Sequence, residues 1–240
     1  MTVNPAEEIT ALGELPTGID AAEAAPGVAD AYGRSGTWVA DALGRAVAAG
    51  APVVGIVNAD IRLDLDSTRR AALLERAGRA MLVCNRMDVG HAAQEAGPFY
   101  RYGYDLVLMP RGMAARLSLE GFALGVPWWD YWVVLDALML GLPVEVVQCR
   151  GVRHLAHAQA WSQPAWRRAL RMLMANLGPR RAELGRLGMG EVAEATADLL
   201  VAIAPRETEG YPLDEMMTVA GTRFGIELVR FAERHAWSLD

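Results

Sequence analysis

The 240-residue sequence predicts an α/β protein built on a mostly parallel sheet with a helical C-terminal appendage. Three observations carry that expectation. The first two-thirds alternate short apolar runs with helical patterns, and from Pro164 onward the pattern is helical only. With 52% hydrophobic and 22% charged residues at a mean hydropathy of +0.14, the chain can also bury a substantial core.

Taken in order, only Thr2-Val3-Asn4 precedes a helical stretch from Pro5 to Leu15. The strand with which an α/β nucleotide-binding domain usually opens is therefore expected to be missing. Thr37 to Ala49 has apolar residues at helical spacing, Gly50 closes it, and Pro52 to Val57 follows as a buried strand. Asp66-Ser67 can cap a helix running to about Arg79, and Ala80 to Arg86 reads as a strand containing Cys84. Tyr104 to Met109 and Pro143 to Cys149 read as two more strands, with a helix from about Asp130 to Leu140 between them that ends at Gly141. In the C-terminal part, Trp166, Leu170, Leu173 and Leu177 recur at helical spacing, as do Val192, Thr196, Leu199 and Ile203, and then Phe224, Leu228, Phe231 and His235.

Composition removes several classes of chemistry. All 23 basic residues are arginine, so a P-loop lysine, a Schiff-base lysine and a lysine general base are excluded. A net charge of −6 and a pI near 5.3 argue against nucleic-acid binding. Cys84 and Cys149 lack CxxC spacing and read as reduced core thiols. No secretory leader pattern opens the sequence, and its apolar stretches fall short of a ~20-residue membrane span, so a cytoplasmic protein is expected. Arg167, Arg168, Arg171, Arg180, Arg181 and Arg186 form a basic stretch that could contact lipid headgroups peripherally, or simply be the solvated face of helices.

Three constellations could carry chemistry. In Val53-Val54-Gly55-Ile56-Val57-Asn58-Ala59-Asp60, a buried strand delivers Asp60 to the sheet edge where open α/β folds bind ligands, with Asn58 two residues before it. Such a pair could hold a divalent cation, or merely form the turn that ends the strand. In Gly125-Val126-Pro127-Trp128-Trp129-Asp130-Tyr131-Trp132, aromatics of the kind that stack on sugar rings surround a carboxylate at a helix start, which either takes a proton from a hydroxyl or caps the helix beside core aromatics. His154 and His157, three apart, can share one face of a turn and complete a metal site with Asp60, although either could equally be structural. Asp64-Leu65-Asp66-Ser67-Thr68 matches the nucleophile motif of haloacid-dehalogenase-like phosphatases, but it does not directly follow the buried strand, and capping explains Asp66 more simply.

In this order, Gly55 to Ile61, Gly103 to Leu108, Gly125 to Trp132 and His154 to His157 resemble a group of bacterial glycosyltransferase-like proteins, family 2-like, with a GT-A-type fold. The resemblance spans residues 1 to about 166 and implies a GT-A-like nucleotide-sugar domain over 1–163, followed by a helical extension over 164–240. It further implies a nucleotide-sugar donor, a glycan or lipid-linked acceptor and a divalent cation, Mn²⁺ or Mg²⁺. Carried over, Asp60 binds metal and diphosphate, with Asn58 standing where many members of the wider fold have an aspartate. His154 or His157 is the late metal ligand, Asp130 the candidate base, Asp105 an acceptor contact, and Trp128 and Trp129 shape the sugar site. The Asn58 departure and the short start favour an alternative, a non-catalytic GT-A-like binding or interaction protein.

Overall fold

The structure, a computed structural model, describes residues 1–11, 17, 19–91, 93–157, 161–206 and 212–239. Strand β1 (Thr2–Asn4), helix α1 (Ala6–Ala11) and strand β2 (Ala21–Glu23) open the chain, and the two strands pair in parallel outside the main sheet. Residues 12–15 of the expected first helix lie outside the described residues. Helices α2 (Val28–Tyr32) and α3 (Val39–Ala48) lead into β3 (Val53–Val57) and β4 (Ile61–Leu63), with Gly50 taking the left-handed turn (φ 83°) between α3 and β3. Helix α4 (Ser67–Ala77) follows, capped by the Asp66 carboxylate, which accepts from the Arg69 N–H at 2.8 Å. The phosphatase-like motif is thus a helix start.

Next come β5 (Met81–Cys84), β6 (Arg86–Val89), β7 (Phe99–Tyr100) and β8 (Leu106–Pro110), then α5 (Arg111–Ala114) and α6 (Trp129–Met139). Strands β9 (Val144–Gln148) and β10 (Val152–Leu155) precede the helices α7 (Gln163–Leu177), α8 (Arg181–Leu187), α9 (Glu191–Ile203) and α10 (Leu213–Ala232). A last strand, β11 (Ala236–Ser238), corrects the expectation of a purely helical C-terminal part. Three residues are too few to show a period, and only pairing against β9 makes them a strand.

The central sheet runs β11-β9-β5-β8-β3, and a second sheet runs β4-β10-β6-β7. The expected mostly parallel sheet is corrected to a mixed one: β9 is parallel to β5 and β11, but β8 lies antiparallel to both β5 and β3. A parallel β5–β8 pair would need a crossover, normally a helix. The segment between them holds β6 and β7 instead, so β8 returns in the opposite direction.

The larger core joins α3, the central sheet and α6 to the C-terminal helices, with Trp132, Leu135, Leu170 and Phe224 all nearly inaccessible. A smaller cluster under α4 contains Leu73 and both cysteines, which are unbridged. Among the described residues no helix is long and apolar enough to cross a membrane. Five of the six arginines of the basic stretch have internal partners: Arg167 and Arg171 approach Asp214, Arg168 donates to the Ala31 carbonyl, Arg180 pairs with Asp136 and Arg181 with Asp198. The most deeply placed pair ties the C-terminal helices to α6. Asp136 is 0% exposed and also accepts from the Ser118 N–H at 2.7 Å. Removing the arginine leaves a buried carboxylate without its counter-charge. Arg180→Ala is therefore expected to lower the unfolding free energy by about 3 kcal/mol, read from the urea midpoint at constant m-value.

Candidate functional site

After β3 the chain turns through Asn58-Ala59-Asp60 into β4. The Asn58 N–H donates to the Asp105 carbonyl at 3.0 Å, and the Asn58 carbonyl accepts from the Ile61 N–H at 3.1 Å, so the turn is fixed on both sides. Strand β10 then pairs antiparallel with β4 and parallel with β6, which sets His154 opposite Ile61 on one side and opposite Asp88 on the other. The Leu155 N–H donates to the Asp60 carbonyl at 3.3 Å, continuing β10 alongside the turn.

This pairing brings the expected metal residues together. His157 Nε2 lies 2.9 Å and His154 Nε2 3.3 Å from Asp60 Oδ2. Ligand atoms of Asp60, His154 and His157 all fall within 4.8 Å of one another. The second carboxylate oxygen, Asp60 Oδ1, is buried and has no hydrogen-bond partner among the described residues. Asn58 faces elsewhere: its Nδ2 donates to Asp105 Oδ1 at 2.7 Å.

Behind these groups stands Arg86, whose donors reach Asp105 Oδ2 at 2.7 Å and Asp88 Oδ1 at 2.9 Å while its guanidinium lies 4.6 Å from the centre of the Tyr100 ring. Burial works against its charge, but the two carboxylates outweigh that and raise its pKa. Both Asp105 oxygens are thus engaged inside the protein, and the residue is only 6% exposed.

Asp130 reaches the same region from α6. The preceding Trp128 adopts φ 79°, left-handed for a bulky residue, at a cost of about 1–2 kcal/mol. Packing opposes that cost, since its ring sits 5.0 Å from Trp166 and 5.3 Å from Tyr131, centre to centre. The conformation makes Trp128 the residue that starts the helix, so Asp130 sits inside the first turn and accepts from the Tyr104 N–H at 3.1 Å. Desolvation pushes the Asp130 carboxyl up to about 6; the Tyr104 N–H pulls against it, and the Asp105 charge adds to it. A helix N-terminus stabilises a carboxylate by only about 0.3–1 kcal/mol, too little to offset the burial.

Asp60, His154, His157, Asp105 and Asp130 all line one open cleft of about 1500 Å³. Trp128 and Trp129 line it too but are 3% and 4% exposed, so neither offers a free ring face. The exposed aromatic faces in the cleft belong to Tyr100 and Tyr102, which sequence reasoning missed along with Arg86 and Asp88. Polar residues at 86 and 88 alternating with Met87 and Val89 are the signal of a one-sided strand, overlooked because the apolar run just before them dominates. A scan against protein-family models, a search of curated proteins and a search of solved structures each returned no match to this chain.

The Asp130 environment has a measurable consequence for stability. Its folded pKa of about 6 stands above the ordinary 3.8, so the stabilising share of this group is complete below pH 4 and lost as pH rises through 6. Ionised at neutral pH, it costs up to about 3 kcal/mol. Asp130→Asn keeps an oxygen for the Tyr104 N–H and is expected to stabilise the protein by about 1–3 kcal/mol at pH 7.5 and by nothing at pH 4, checked by urea unfolding at both values.

Proposed function

We propose that the protein is a GT-A-like, family 2-like glycosyltransferase that moves a sugar from a nucleotide-sugar donor to a hydroxyl of a glycan or lipid-linked acceptor, using a divalent cation. The observation that carries this reading is one cleft holding both a cation-type cluster, Asp60, His154 and His157, and a separate carboxylate tuned to about 6, Asp130.

The cluster suits a cation on its own chemistry. One carboxylate and two imidazoles converge, and Asp60 Oδ1 is a buried acceptor with no donor among the described residues. Two nitrogen donors favour Mn²⁺ over Mg²⁺, which prefers oxygen ligands and holds its water tightly. When bound, the cation would neutralise charge on the departing diphosphate. The remaining work falls to the chain itself. Asp130, ionised at neutral pH, accepts the proton of the attacking hydroxyl. Arg86 and Asn58 hold Asp105 beneath it. Tyr100 and Tyr102 offer aromatic faces against which a sugar-type acceptor can stack. Since Asn58 uses its amide on Asp105 and supplies no second carboxylate, a non-catalytic GT-A-like binding protein is the second reading.

Calorimetry separates these readings. In Mn²⁺ the protein is expected to bind one of UDP, GDP, ADP, CDP or dTDP, with binding lost in Asp60→Ala; no binding to any of the five would sink both readings as nucleotide proteins. Under the first reading, transfer rises with pH through about 6 as Asp130 loses its proton, and Asp130→Asn abolishes transfer while nucleotide binding persists. Binding with no turnover at any pH would favour the second.

A further inference from the structure

We propose that Asp88 is the positioning residue of the cation site, fixing His154 as the tautomer whose proton sits on Nδ1 and whose Nε2 lone pair faces Asp60. The role toward a cation rests on the metal reading above, while the tautomer is a property of the free protein.

A neutral imidazole carries one proton on two nitrogens, and only the bare nitrogen can bind a cation. His154 stands between two carboxylates, with Nδ1 2.9 Å from Asp88 Oδ1 and Nε2 3.3 Å from Asp60 Oδ2. Whichever nitrogen is bare faces an oxygen lone pair. A proton on Nδ1 makes the shorter contact the hydrogen bond and leaves the repulsion at the longer one, where a cation would relieve it. His157 can meanwhile donate to the same Asp60 oxygen from 2.9 Å.

Asp88 is held for this task from three directions. It lies directly opposite His154 in the β10–β6 register. Its N–H donates to the Pro98 carbonyl at 3.0 Å, and Gly97 crosses its own carbonyl so closely that any side chain at 97 would collide with it. Its Oδ1 is gripped by Arg86 Nε at 2.9 Å. An ion pair for Arg86 does not by itself require Asp88, because Asp105 already meets that guanidinium at 2.7 Å. What Asp88 adds is a fixed acceptor for one particular ring nitrogen.

The test uses the full chain, ¹⁵N-labelled at histidine, with long-range ¹H–¹⁵N spectra at mildly alkaline pH and calorimetry with Mn²⁺ alone. The His154 signals are assigned by their loss in His154→Asn. Wild-type His154 is expected to be protonated on Nδ1. Asp88→Ala should shift the proton toward Nε2 and weaken Mn²⁺ binding by about 10- to 100-fold. Asp88→Asn, which can still accept from Nδ1–H, should keep the tautomer and recover part of the affinity. A bare Nδ1 in the wild type, or Mn²⁺ affinity unchanged in Asp88→Ala, overturns the proposal. A wild type that binds no Mn²⁺ overturns the metal reading instead, and the spectra still decide whether Asp88 sets the tautomer.

Discussion

The meeting of Asp60, Asp88 and the two histidines depends on one four-residue strand, Val152–Leu155, being hydrogen-bonded along both of its edges. Asp60 arrives from the end of the central sheet and Asp88 from a strand that has left it, and neither has a direct reason to meet the other. Strand β10 supplies that reason by pairing with β4 on one side and β6 on the other. Its entry is tight: the Val152 N–H donates back to the Cys149 carbonyl at 3.2 Å, and the Asp64 N–H donates to the Gly151 carbonyl at 2.7 Å. Gly151 lies so close to the Asp64 carbonyl that a side chain there would push the two strands apart. A register error of one residue would turn His154 to the opposite face of the sheet.

Arginine carries the cationic work of this fold in a way a lysine would not. Arg86 bridges two carboxylates with different nitrogens and lies against the Tyr100 ring; Arg180 reaches both Asp136 and Glu183; Arg181 makes a forked contact with Asp198. A planar fork keeps its geometry while meeting two partners, whereas an ammonium is a single point on a flexible stem. The protein can consequently carry a net charge of −6 and still place several carboxylates close together at one site.

The strands at Val53–Val57, Met81–Cys84, Leu106–Pro110 and Val144–Gln148 were legible because each is an apolar run bounded by turn residues, and α4 and α6 because their ends carry Asp66 and Gly141. Direction was not legible. Nothing local in Leu106–Pro110 says that it runs opposite to its neighbours; that follows from the absence of a crossover helix before it. At the site, Asp60, His154 and His157 could be paired because Asp60 ends a buried strand and two of only four histidines stand three apart. Arg86, Asp88, Tyr100 and Tyr102 could not, because an ion pair or an exposed ring gains meaning only once a second sheet sets it beside the others. That Trp128 and Trp129 belong to the core was one of the two readings the sequence offered; the partner that covers Trp128, Trp166 from a distant helix, was not.

Strand β11 has a consequence for how the molecule is made. It covers the outer edge of β9, pairing Ala236 with Val146, and Glu233 just before it holds Arg101 beside the cleft, with Arg101 Nε 3.0 Å from Glu233 Oε1. During synthesis, β9 leaves the ribosome long before its partner does. For that interval the strand has an open edge, and Arg101 lacks its Glu233 partner. Such sequence-distant contacts close late and slowly. The outer edge of the central sheet therefore closes only after translation has passed Ser238, and the nascent chain waits until then with β9 uncovered on that side.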